Sequence, residues 1–153
     1  MVRGKVFLAI LLAIAVFALA GCGSKTALTA EQFKSKMEAA GYEVQDATYQ
    51  YEGLVDQCFI AVKGNFEYQI EFYVVATESQ AVGAYNQNKE QFQSKKSNAS
   101  AETTKEVSNY GKYTLNTGGN YSVISRVDNT FIYIDASNDY RDEINKTLDS
   151  LGY

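Results

Sequence analysis

Ten consecutive residues, Phe66 to Val75, alternate in a strict two-residue rhythm. Successive side chains of a β-strand point to opposite faces, so Phe66, Tyr68, Ile70, Phe72 and Val74 share one apolar face. Glu67, Gln69, Glu71, Tyr73 and Val75 share the other, wetter one. A chain holding this segment must build a sheet with one face in the core. Residues 57 to 63 join it through Gly64-Asn65, which reads as a two-residue hairpin. The stretch from Tyr42 to Tyr51 reads as a weaker strand with Ala47, Tyr49 and Tyr51 on one side.

Helices flank these strands. Thr29-Ala30-Glu31-Gln32 has the form of a capping box, and Ala30, Phe33, Met37 and Ala40 then recur at helical spacing before Gly41. Thr77-Glu78-Ser79-Gln80 repeats the box and opens a second helix, with Ala81, Tyr85, Asn88 and Phe92 on one face. Residues 94 to 105 show no apolar periodicity and read as a mobile loop. Strands are expected near 112 to 116, 121 to 127 and 130 to 135, with turns at Gly118-Gly119 and Asp128-Asn129. A last helix carries Tyr140, Ile144, Leu148 and Leu151 inward and stops at Gly152. The expectation is an α+β fold: an antiparallel sheet from two βββα halves preceded by a helix, with helices on one sheet face and the other open or partly covered. The similar plan of 42–96 and 110–152 suggests an internal duplication.

The N-terminus sets the address. Arg3 and Lys5 precede an apolar run from Val6 to Ala20 with no acidic residue, the pattern of an export signal. At about 1.5 Å per residue the run is shorter than the roughly twenty residues a helix needs to span a bilayer. It ends in Leu19-Ala20-Gly21-Cys22, which resembles the lipobox of bacterial lipoproteins. The resemblance implies cleavage between Gly21 and Cys22 and a diacylglyceryl group on the Cys22 thiol, an effectively permanent anchor. The organisation expected is a signal peptide over 1–21, a short tether over 22–28 and a single domain over 29–153. The partner implied by the anchor is the cell membrane, at its extracytoplasmic face. Without residues 1–21, 12 basic and 18 acidic residues remain, a formal charge of −6 that repels nucleic acid and anionic headgroups.

Beyond the lipobox, LTAEQFKSKMEAAGYEV at 28–44, YQIEFYVV at 68–75 and NTFIYIDASNDYRDEINKTLDSLGY at 129–153 resemble small uncharacterised lipoproteins of low-GC Gram-positive bacteria. That likeness implies a location and a fold, and no activity.

The chemistry open to the chain is narrow. With no His, a Ser-His-Asp triad, a Cys-His pair and a histidine-based zinc site are all excluded. No cofactor or metal is implied, since Asp135, Ser137, Asp139 and Glu143 lack the glycine and the bidentate glutamate of a calcium loop and read as a helix N-terminus. Cys58 alternates with Ile60 and Val62 and reads as core. Two features remain as candidate binding residues: the polar stripe with Glu67, Glu71 and Tyr73, and outward members of the 12 tyrosines, namely Tyr49, Tyr51, Tyr73 and Tyr121. The function expected is a non-catalytic binding or accessory module for an envelope protein or polymer. The alternatives are a carboxylate-dependent enzyme on wall glycan, using Glu67 or Glu71, and a structural subunit of an envelope complex.

Overall fold

The computed structural model describes residues 24–153; Gly21, Cys22, the apolar run before them and Gly23 lie outside the described residues. The elements run α1 (Ala30–Ala39), β1 (Glu43–Asp46), a 3-10 turn (Thr48–Tyr51), β2 (Gln57–Lys63), β3 (Tyr68–Val74), α2 (Glu78–Gln93), β4 (Ala101–Val107), β5 (Tyr110–Thr117), β6 (Asn120–Val127), β7 (Thr130–Ser137), a second 3-10 turn (Asn138–Tyr140) and α3 (Arg141–Leu151). The seven strands form one antiparallel sheet in the order β1-β2-β3-β7-β6-β5-β4. This is an α+β fold.

Both capping boxes form as written in the sequence. The Gln32 and Gln80 backbone N–H groups each donate to the Thr29 and Thr77 hydroxyls at 3.2 Å, and the two glutamine side chains reach back to the threonine N–H groups. Each satisfies donors that a helix start otherwise leaves unpaired, worth about 1 kcal/mol. Gly152 ends α3 in the left-handed conformation, φ 86°.

The sheet buries two cores. On one face α1 and α3 lay Phe33, Met37, Ile144 and Leu148 against Ile70, Phe72, Val123 and Ile132. Phe33 stacks on Phe72 with ring centroids 4.6 Å apart, and both are fully buried. On the other face α2 sets Ala81, Tyr85 and Phe92 against Tyr113, Leu115 and Ile124, and Cys58 is buried there beside Tyr73. The second face is only partly covered, because α2 packs over β5, β6 and β7 while the first 3-10 turn packs on β2.

Four local readings are corrected. The segment 42–51 is a four-residue strand followed by a 3-10 turn, so Tyr49 and Tyr51 are not strand residues. The β2–β3 connection has four residues, since Lys63 pairs with Tyr68; Gly64 and Phe66 take positive φ, and Phe66 leaves the core to be 79% exposed. Residues 101–107 are the strand β4, paired along its length with β5 and exposed throughout, so the expected loop is confined to 94–100. The two halves therefore differ, with three strands in one and four in the other, and α2 and α3 lie on opposite faces.

Candidate functional site

The uncovered part of the second face is a groove of about 320 Å³ over the β3–β7 seam, between α2 and the segment after the first 3-10 turn. Strand register builds its floor. Glu71 pairs with Tyr133 and Tyr73 with Phe131 across the antiparallel β3–β7 ladder, so all four side chains rise from one patch of sheet. Tyr73 and Phe131 stack, with centroids 4.6 Å apart and planes 14° from parallel. Tyr51 meets Tyr73 edge-on at 5.3 Å and 86°, which makes a corner of two ring systems. Tyr133 is stacked under Phe92 of α2, and Gln87, Asn88 and Gln91 of the same helix form the polar rim.

Among the described residues one charge lines this groove, the half-buried Glu71 carboxylate. Its Oε2 accepts from the Tyr73 hydroxyl and its Oε1 accepts from Gln69 Nε2 at 2.7 Å. The Tyr51 and Tyr73 hydroxyls lie 3.1 Å apart, within hydrogen-bond distance. A hydroxyl has a single proton, and the ionised acceptor is the stronger claimant for it. Burial, then the bond to Glu71, pushes the Tyr73 phenol far above its ordinary pKa, so it stays a neutral donor at any physiological pH. Burial and then the Glu71 charge push the Cys58 thiol up to about 12, which makes it a poor nucleophile.

Of the residues singled out from the sequence, Tyr51, Glu71 and Tyr73 converge here. Glu67 does not: it sits in the β2–β3 turn, so the paired carboxylates that Glu67 and Glu71 would supply from one strand are not assembled. Tyr49 is 76% exposed on the 3-10 turn with its hydroxyl accepting from Gln50, away from the groove. Tyr121 points the other way, into the core under α1 and α3, where it donates to Asn145 Oδ1 at 2.8 Å. Phe131 and Tyr133 were legible only as β7 residues and Asn88 only as a member of the α2 face with Ala81, Tyr85 and Phe92, while Gln87 and Gln91 carried no signal of their own.

A second cavity of about 270 Å³ lies by Tyr42 and Ser150, but its Lys63 and Glu143 already pair at 3.1 Å. Among the described residues there is no cluster of three or more metal-ligating side chains, and no helix is long and apolar enough to cross a membrane. No family model, no curated protein and no solved structure matches the chain.

Proposed function

We propose that this is a lipid-anchored, non-catalytic binding module of the cell envelope, held to the extracytoplasmic face of the membrane through Cys22 and engaging an envelope polymer in the groove over β3 and β7. The observation that carries the reading is the convergence of Tyr51, Tyr73, Phe131 and Tyr133 around one carboxylate in a concave site. Aromatic walls with a few placed polar groups are the usual make-up of a ligand pocket. The size favours a polymer: the cavity takes one small residue, whereas a stable protein partner wants a face of about 800 Å². The polar groups present suit binding better than hydrolysis, since Glu71 is held by neutral donors and no second carboxylate among the described residues lines the groove.

The tether fits the same reading. Asn109, in the β4–β5 turn, grips Lys25 on both sides, accepting from its N–H at 3.0 Å and donating to its carbonyl at 2.7 Å. Cys22 stands only three positions before that grip, a reach of at most about 10 Å. The domain then rides close to the bilayer with the β4–β5 end towards it.

Retention on purified cell wall tests the proposal. Expected is that Tyr51→Ala and Gln91→Ala each cut retention severalfold while Thr104→Ala on β4 leaves it unchanged. Equal retention of all three, or release of soluble wall fragments by the protein, overturns it. A structural subunit is the second reading, favoured by one feature: β4 is an edge strand with its outer backbone unpaired among the described residues.

A further inference from the structure

We propose that the group seated in the groove is a primary ammonium carried on an uncharged stem. The inference rests on the groove being the binding site and adds the chemistry of what it holds. Glu71 has no cationic partner within 4.0 Å among the described residues, although Lys63, Lys89, Lys95, Lys96 and Arg126 each pair with an acid elsewhere. A half-buried carboxylate beside four aromatic rings is costly to dehydrate with neutral donors alone. A positive charge placed against it offsets that cost, and ring faces add to the attraction because their quadrupole presents negative charge.

The geometry suits a small cation. Tyr51 stands nearly perpendicular to Tyr73, and Tyr73 lies flat on Phe131, so ring surfaces close two sides of a corner whose base is Glu71. An ammonium in that corner has three N–H donors, and the side-chain amide oxygens of Gln87 and Gln91 at the rim are acceptors for those that Glu71 leaves free. An anionic ligand would meet Glu71 with no compensating charge among the lining residues. A neutral saccharide could donate hydroxyls to Glu71 but would leave the charge unneutralised as water is expelled. The fields already visible at the site agree: Glu71 helps to raise the pKa values of Tyr73, Tyr133 and Cys58.

The test uses the domain over 24–153, which contains both cores, and two probes of nearly equal shape: Nα-acetyl-lysine amide, and the same molecule with a methyl group in place of the side-chain ammonium. NMR titration is expected to shift signals of Tyr51, Tyr133, Gln87 and Gln91 with the first probe. Loss of the charge in the second probe, or Glu71→Gln in the protein, weakens binding about tenfold or more. The probe comparison needs no variant, so it holds even if Glu71→Gln fails to fold. Equal affinity for the two probes overturns the ammonium assignment and leaves the groove a binding site, as does a neutral disaccharide of N-acetylated sugars binding more tightly than the amine. No shift with any probe also overturns the assignment, while the proposed function fails separately, if the groove variants keep their hold on the wall.

Discussion

Alkali is expected to unfold this domain in a narrow window, because its cores are built around hydroxyls and a thiol that ionise reluctantly. Cys58 is raised from 9.0 to about 12 and Tyr153 from 10.0 to about 12, in each case first by burial. Burial also raises Tyr68, Tyr73, Tyr85 and Tyr113 well above the ordinary 10.0. A folded-state pKa above the unfolded one means that the folded chain keeps protons which the unfolded chain releases. The stability these groups contribute is therefore fully present below about pH 9 and is lost as the pH climbs towards 12 and beyond. Each group removes about 1.4 kcal/mol per pH unit, so the six together remove about 8, or about 4 once halved for solvent screening at the rims of the cores. Against a total of about 5–15 kcal/mol, about one to four units above pH 9 to 10 exhaust the fold. Far-ultraviolet circular dichroism followed together with tyrosinate absorbance reads this out. The two signals should change in one cooperative step. Gradual ionisation of the buried tyrosines near pH 10 with ellipticity unchanged would refute the reasoning.

Three further outcomes are expected. Cys58 should resist a bulky thiol reagent in the folded domain; at pH 8 a pKa of about 12 leaves a thiolate fraction near 10⁻⁴, roughly a thousandfold below an ordinary cysteine, and labelling at the denatured rate would contradict its burial. Asn109→Ala removes both bonds to Lys25, each worth about 1 kcal/mol, and amide exchange at Lys25 should quicken at least tenfold while α1 stays protected. Cys22→Ala should carry no lipid label and remain uncleaved in cells, and normal labelling of that variant would remove the anchor from the proposal.

Elements defined by local chemistry were legible in the residues. Thr29 with Gln32 and Thr77 with Gln80 mark helix starts because each box is closed by side chains three residues apart. The apolar spacing of α3 follows from one-sided burial, and the alternation in β3 from a core face set against a less buried one. β4 carries no such signal because both its faces meet solvent, so Ala101–Val107 has no apolar side to reveal; what holds it are bonds such as Thr103 to Thr114 at 2.7 Å and Tyr113 to Glu102 at 2.7 Å. The spacing of Ala47, Tyr49 and Tyr51 mimics a strand that the chain does not form, as a 3-10 turn places its residues differently from either regular period.

The groove depends on facts that no local pattern contains. Period two groups Glu71 with Tyr73 but does not say that β7, some sixty residues on, will be the neighbour that brings Tyr133 and Phe131 beside them. Nor does it say where α2 will lie. That is decided at the end of β3, where Val75 is tied to the β6–β7 turn by its N–H donating to the Asn129 carbonyl at 2.9 Å and its own carbonyl accepting from Asn129 Nδ2 at 2.8 Å. The chain leaves β3 already drawn across β7, so α2 starts over the second half of the sheet and not over β2 and β3. Gly111 lets the helix settle there: a Cβ at that position would stand 3.2 Å from the Tyr85 ring and 3.3 Å from Arg126 Nε. With α2 displaced to β5–β7 and the 3-10 turn filling only the β2 side, the β3–β7 seam is left without a cover. Its walls nevertheless belong to the core, since Phe92 stacks on Tyr133 from beneath the rim and Tyr73 is stacked on Phe131 in its floor. A site made this way is held in shape before any ligand arrives, which lowers the entropy that binding must overcome.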